Sequence, residues 1–395
     1  MSPRLPQECA SDPESRLWIE LRRRPEILDA VAASAGPELA VQARLRKLYP
    51  DELVRLAVTL HQLRQQGAEK FTRAPRMWFD RVGLEQATSE AVARHKARRF
   101  PAASEVWDLC CGIGSDALAL ASHSQVAAVD LRPTACLQTV WNAEAYEVAD
   151  RINVRRSDVT TMPLPSGLVH LDPDRRGRNG PRAQRLEHYV PGLDFLHRLI
   201  AASAGGAIKV GPASNFGGKF PGAEIELISL RGECKEATVW FGSLAGPQPF
   251  RATVLPGGES LAGHPLSAEV PVTPLTAYLY DPDPAVVRAG LVDVCAERLG
   301  LTRLDAAEEY LTGETLMTSP FVTAFRVIAE FPNNERELRR YLRATPFGAY
   351  EIKCRHIPAA ADVLRRRLPT AGHETATVFV ARLAGQARLI LTQRV

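Results

Sequence analysis

Between Glu105 and Val210 the chain alternates short apolar runs with stretches of helical periodicity, and this alternation restricts the fold more than any other feature. EVWDLC, QVAAVD, RINVRR, GLVHLD and GGAIKV have strand length, and residues 115–122, 134–147 and 184–201 carry apolar side chains at helical spacing. Apolar strands joined through helices pair in parallel and are covered on both faces. A doubly wound α/β core is therefore expected.

The flanks read differently. Residues 13–67 predict three or four amphipathic helices with breaks near Pro25, Gly36 and Pro50. After the core, EIELISL and EATVWFG predict an antiparallel pair at the sheet edge, and a Pro- and Gly-rich stretch predicts a hairpin around Pro256. Asp283 is a helix cap with Pro284 in the first turn, predicting a helix to about Leu299. TAFRVIAEF, a helix over 334–343, AYEIKCR, a helix over 358–368, TATVFVAR and ARLILTQ follow, in the β-α-β-α-β-β order of a small α+β domain. The expected division is a helical region over 1–69, the α/β domain over 70–264, a linker over 265–280 and the α+β domain over 281–395.

Composition narrows the setting. Of 395 residues, 45% are hydrophobic and 24% charged, which is globular rather than disordered, and the net charge of +4 permits a polyanionic partner. The seven cysteines are scattered without CxxC or Cys/His spacing, so no metal site and a reducing compartment are expected. No apolar run approaches the ~20 residues that cross a bilayer, and no signal-peptide pattern is present. The expectation is a cytoplasmic protein without a membrane role.

The chemistry concentrates in VWDLCCGIGSD, residues 106–116, which runs from the first strand into a helix. Gly112 and Gly114 allow a sharp turn and close approach of a ligand, beyond the carboxyl ends of the strands where parallel sheets bind ligands. Asp130 ends the second strand 22 positions after Asp108, near the ~20-residue offset of a ribose-hydroxyl acceptor. In a dinucleotide site the third glycine would stand where Ala117 is, and Asp108 would repel a pyrophosphate. Asp108 suits instead the ammonium of an amino-acid-bearing nucleoside. S-adenosylmethionine combines adenosine, sulfonium and amino acid, and is the expected cofactor, held by Asp108, Cys110, Gly112, Gly114, Asp116 and Asp130, with Asp158 reaching the adenine amine.

The fourth strand ends in HLDPDRR, residues 170–176, at the edge to which a methyl donor points. Methyl transfer is an in-line displacement, so alignment of the acceptor supplies much of the rate. Asp172 is the expected acceptor-positioning group, stiffened by Pro173 and flanked by Asp174. Arg175, Arg176 and Lys209 are expected on the substrate, whereas His170 reads as a core histidine.

These residues resemble the class I S-adenosylmethionine-dependent methyltransferases, in Asp108-x-x-x-Gly112-x-Gly114, Asp130, Asp158 and Asp172-Pro173. Residues 70–175 are similar to the trimethylguanosine synthase type of RNA cap guanine-N2 methyltransferase, through KFTRAPRMWFDRVGLEQATSEAVARHKARRF and NAEAYEVADRINVRRSDV. That resemblance implies a Rossmann-like sheet and a lead-in closing over the cofactor, with Lys70, Met77, Gln86 and Thr88 near the donor. It departs at Asp174 and Arg175, where guanine-N2 enzymes carry a second proline and a base-stacking aromatic. The Asp-Pro-x-Arg-Arg pattern and the tail from TAYLYDPDPAVVRAGL through EIKCRH resemble a bacterial group with a C-terminal THUMP-like domain.

From Glu335 to Leu368 the tail holds nine basic against four acidic residues, a surplus that suits phosphates, with Lys353 and Arg355 among the expected RNA contacts. The combined expectation is a methyltransferase acting on a base amine of structured RNA. The alternatives are a protein or small-molecule acceptor, or an RNA-binding protein whose core no longer turns over.

Overall fold

The structure, a computed structural model, describes residues 12–175, 185–357 and 361–395. It comprises two compact units, Met1–Glu224 with Ala237–Gly246, and Ile225–Glu236 with Pro247–Val395. The helical region thus belongs to the α/β unit rather than standing apart, and residues 247–264 fall in the second unit.

The first unit begins with α1 (Pro13–Arg23), α2 (Pro25–Ala32), α3 (Glu38–Leu45) and α4 (Asp51–Gly67). Asp12 caps α1 by accepting the Ser15 amide at 3.0 Å, and Pro25 opens α2, where its missing N–H costs nothing. The lead-in forms α5 (Arg81–Gln86) and α6 (Glu90–Ala97). Then come β1 (Glu105–Leu109), α7 (Ser115–Leu120), β2 (Gln125–Asp130), α8 (Pro133–Ala145), β3 (Ile152–Arg156), β4 (Leu168–Leu171), α9 (Leu193–Ala202) and β5 (Gly205–Val210). Of the next two strands, β6 (Glu224–Leu230) lies in the second unit from Ile225, and β7 (Glu233–Gly242) in the first from Ala237.

In the first unit the strand order is β3-β2-β1-β4-β5-β7. β1 to β5 are parallel, and β7 runs antiparallel to β5. The order reverses at β1, between β2 and β4, which opens a crevice at their carboxyl ends. The predicted helix over 184–201 starts later, at Leu193, because Pro191 and Gly192 interrupt it and Leu186–His188 form a separate 3₁₀ turn; residue 184 itself lies outside the described residues.

The helical region is anchored by aromatic packing. Trp78 meets Trp141 edge-on at 5.0 Å and Trp18 at 6.3 Å between ring centroids, contacts of about 0.5–1.5 kcal/mol each beyond area burial. Arg22 lies over Trp141 and Arg64 over Trp78. Beside them Asn142 of α8 is fully buried. Its Oδ1 accepts the Trp78 amide at 2.7 Å, and its Nδ2 donates to the carbonyls of Trp78 and Ile113, both at 2.9 Å.

The second unit contains β6, β8 (Phe250–Leu255) and β9 (Glu259–Gly263), with β6 and β8 parallel and β9 antiparallel to β8. Next are β10 (Tyr278–Pro282), α10 (Pro284–Arg288), α11 (Val292–Leu299), β11 (Thr302–Arg303), β12 (Leu311–Gly313), β13 (Val322–Pro332), α12 (Glu335–Leu342), β14 (Phe347–Cys354), α13 (Ala361–Arg367), β15 (Glu374–Leu383) and β16 (Gln386–Arg394). These strands make a seven-stranded sheet ordered β11-β12-β10-β13-β16-β15-β14. The helix predicted from Asp283 to Leu299 is two helices, because Gly290 adopts a left-handed φ of 70° between them. Three short strands, β10 to β12, enlarge the expected four-stranded sheet. Leu338, Leu342, Tyr350, Val378 and Leu391 form one buried cluster, and Leu279, Tyr310, Phe325, Phe379 and Ile390 another.

Asn142→Leu would strand three buried backbone groups at about 1–3 kcal/mol apiece before relaxation. The expected outcome is a loss of about 2–5 kcal/mol in urea denaturation; a loss under about 1 kcal/mol would show that water replaces the amide.

Candidate functional site

The turn after β1 is built from residues that must accept unusual backbone angles. Cys110, Gly112 and Gly114 all have positive φ, at 58°, 58° and 85°. Gly114 starts α7, and a Cβ there would sit 2.8 Å from Thr139 Cγ2, so glycine is required by both conformation and space. Nothing lies within 4 Å of the place a Gly112 Cβ would fill, which leaves its backbone open to a ligand. The Thr139 hydroxyl donates to the Gly112 carbonyl at 2.9 Å. On the lead-in side, a Cβ on Gly83 would lie 2.4 Å from Ile113 Cγ2, so α5 packs directly on the turn.

Asp130 closes the turn. Its Oδ2 accepts the Gly112 amide and its Oδ1 the Arg132 amide, both at 2.8 Å. Burial pushes its carboxyl up, against the pull of the Arg132 guanidinium and these two N–H donors. Asp158, in the loop after β3, accepts the Thr160 amide and hydroxyl at 2.9 and 2.7 Å, and those bonds hold its carboxyl below the usual range.

At the end of β4, the Asp172 amide donates to the Leu109 carbonyl at 3.1 Å, joining the segment to β1. Asp172 Oδ2 accepts from the buried Lys209 ammonium at 2.7 Å, and Lys209 also donates to the Gln86 carbonyl at 3.1 Å. The Gln86 side chain donates in turn to Asp174 Oδ1 at 3.2 Å. Asp174 and Val190 exchange backbone hydrogen bonds at 2.8 and 2.9 Å. Lys70 caps the end of α5 through the carbonyls of Leu84, Glu85 and Ala87 at 2.7, 3.1 and 3.1 Å.

Together these residues surround a cavity of about 510 Å³, of the size that takes small ligands. Cys110, Gly112, Asp130, Asp158, Asp172, Pro173, Asp174, Arg175 and Gln86 line it, as the sequence analysis expects of site residues. Asp108, Gly114, Asp116, Thr88, Lys70, Met77 and Lys209 do not. Asp108 is the main correction: it does not line the cavity but lies buried beside β4, where His170 Nδ1 donates to its Oδ1 at 2.7 Å. Lys209 acts on Asp172 instead of standing open to substrate. Arg176 lies outside the described residues.

Lys353 and Arg355 lie in the second unit, each beside an acid. Both ion-pair with Asp281, at 2.8 and 2.6 Å, and Lys353 also lies 3.5 Å from Glu351, so both are engaged within the second unit. Among the described residues, Glu308, Glu309 and His356 bring possible metal-ligating atoms within 4.8 Å, with His356 Nε2 already 2.7 Å from Glu309 Oε2. No helix among the described residues is long and apolar enough to cross a membrane.

Comparisons with known proteins bear on the family. The family profile for RNA cap guanine-N2 methyltransferase matches residues 103–188, and that for a THUMP domain-like region matches residues 322–394. Two uncharacterized S-adenosylmethionine-dependent methyltransferases, from Mycobacterium tuberculosis strains CDC 1551 / Oshkosh and H37Rv, are each 36% identical over 312 residues, covering 77% of this chain and 84% of theirs. A crystal structure of a presumed methyltransferase from Porphyromonas gingivalis W83 superposes with a TM-score of 0.76 at 19% identity, over 96% of this chain and 98% of that one, a likeness of fold. The chain belongs to the class I S-adenosylmethionine-dependent methyltransferases and carries a THUMP-like C-terminal region. Its cofactor is S-adenosylmethionine.

The residues present fit that group. The Gly112 backbone is an open cradle, and Asp130 and Asp158 place carboxylates on the cavity wall. Sequence reasoning missed Asn142 and Thr139, which hold the turn from α8; Asn142 alone left a trace, as the first residue of the NAEAYE segment.

Asp130→Ala removes two charge-assisted bonds of about 1.5–3 kcal/mol each from the turn. S-adenosylmethionine should bind at least about tenfold more weakly by calorimetry; an unchanged dissociation constant would remove Asp130 from the cofactor site.

Proposed function

We propose that the protein methylates an exocyclic base amine of structured RNA, with the THUMP-like unit tethering the RNA. The observation that carries this reading is Asp172, a carboxylate on the cavity wall fixed by Pro173 and by Lys209. S-adenosylmethionine supplies an electrophilic methyl group on a sulfonium. In this reading Asp130 binds the ribose and Asp158 the adenine amine. Asp172 accepts hydrogen bonds from the acceptor amine, holds its lone pair toward the donor and offsets the positive charge that develops on nitrogen. Lys209 occupies Oδ2, so the work falls to Oδ1. Arg175, on the cavity wall in the place of an aromatic, presents a planar guanidinium that stacks on a base or pairs with phosphate.

The match to an RNA cap guanine-N2 family and the THUMP-like region support RNA as the substrate class. With Lys353 and Arg355 engaged by Asp281, the phosphate-tracking charges move to α12. There Arg336, Arg340 and Arg343 are exposed and spaced by four and three residues, along one helix face. A second reading, a protein or small-molecule amine as acceptor, is favoured by Asp174-Arg175 standing in place of proline and an aromatic.

The test is transfer of labelled methyl from S-adenosylmethionine to protein-free total RNA. Asp172→Ala is expected to lower transfer by about 100-fold or more while cofactor binding persists; label independent of Asp172 would refute the assigned role. Reversing Arg336, Arg340 and Arg343 to Glu should weaken RNA binding and flatten its salt dependence by up to about 0.9 log units per lost phosphate contact, with cofactor affinity unchanged. No label in any RNA would transfer the acceptor to the second reading.

A further inference from the structure

The cofactor turn is bracketed by two acids, Asp108 before it and Asp116 after it, and both are held by one pair of buried bases. His170 Nδ1 donates to Asp108 Oδ1 at 2.7 Å. Lys96 Nζ lies 2.9 Å from Asp116 Oδ1 and 3.3 Å from His170 Nε2, which is itself 3.7 Å from that same Asp116 oxygen. The four residues come from β1, α7, β4 and α6, and their exposures are 0%, 5%, 1% and 1%. None lines the cavity, so none meets substrate.

Charges withdrawn this far from water persist only when balanced and hydrogen-bonded. Lys96 holds Asp116 ionised, while burial pushes the Asp108 carboxyl up against the pull of His170, so an ionised Asp108 is balanced only by a protonated His170. Apolar side chains of similar volume would hold four elements together without that desolvation. What apolar contacts do not supply is a directional tie on both ends of a turn that carries three positive φ values.

We propose that Lys96 and His170 are positioning residues for the methyl donor: they clasp Asp108 and Asp116, fix both ends of the Cys110–Gly114 turn, and make donor affinity depend on the proton on His170. The groups facing His170 are Asp108 from β1, Asp116 from α7 and Lys96 from α6; its partner across β5 is Ala207, which does not titrate. Burial pulls the His170 pKa down, but Asp116 and Asp108 outweigh burial and the Lys96 ammonium and leave it raised. Burial likewise opposes ionisation of Asp116, yet the Lys96 ammonium prevails and holds its carboxyl well below the usual range. Because the folded His170 value is raised, its contribution is complete below the ordinary histidine value of about 6.5 and disappears as pH rises through the folded value. Deprotonation leaves one surplus buried negative charge beside Asp108 Oδ2, which already has no hydrogen-bond partner.

The experiment is calorimetric binding of S-adenosylhomocysteine to the full chain from about pH 6 to pH 9. Wild-type affinity should fall with rising pH beyond the ligand's own titration. His170→Gln keeps a hydrogen-bonding side chain without the charge, and is expected to bind about tenfold more weakly at the acid end with that extra pH dependence gone. Lys96→Met with Asp116→Asn removes one ion pair without orphaning a charge and should weaken binding similarly, whereas Lys96→Arg should retain it. A folded His170→Gln chain with wild-type affinity and an unchanged pH profile overturns the proposal. If that variant does not fold, the wild-type pH profile and the double variant decide: full affinity in the double variant, or a wild-type profile explained by the ligand alone, overturns it as well.

Discussion

One buried carboxamide ties the lead-in to the cofactor turn. Asn142 satisfies the amide and carbonyl of Trp78 and the carbonyl of Ile113. Trp78 also sits in the aromatic cluster that fastens α1, while Ile113 is the residue against which Gly83 packs. An irregular backbone in a protein interior needs a partner for every N–H and C=O. Here a helix side chain provides those partners, and the turn can keep a shape that no regular ladder would impose. Thr139, one helical turn earlier on α8, does the same for the Gly112 carbonyl.

The acceptor side is organised by charge. Lys209 reaches both the Asp172 carboxylate and the Gln86 carbonyl, and Gln86 reaches Asp174. The two carboxylates of the Asp-Pro-Asp segment are therefore each connected to the lead-in. This gives Asp174 a physical role at a position where guanine-N2 enzymes have proline: it fastens the segment to Gln86 rather than shaping a stacking wall. Such a site is closed by hydrogen bonds, and its rim is more polar than an aromatic clamp.

Much of the architecture could be read from periodicity. Strand-length apolar runs and helical spacing located β1 to β5 and their helices, because a buried parallel sheet demands them. Glycine spacing and the offset to Asp130 located the cavity for the same reason. Side-chain direction was less accessible. Asp108 and Cys110 are two residues apart around a change of backbone conformation, and only the latter faces the cavity. The charge count over residues 335–368 rightly marked α12 as basic. It could not show that Lys353 and Arg355 pair with Asp281, which lies 72 and 74 positions away. Long-range pairing leaves no mark in a local window, just as Gly290 left none until its left-handed backbone split a helix.

Two thiols, Cys110 and Cys111, stand in the wall of a cavity whose cofactor is an alkylating agent. The thiolate, not the thiol, is the nucleophile. Burial pushes both pKa values well up, and Asp130 and Asp108 add to the shift. The same ring of acids that suits a cationic donor thus keeps the nearest sulfur nucleophiles protonated. Kept as thiols rather than thiolates, both sulfurs are poor acceptors for the methyl group that the cofactor carries.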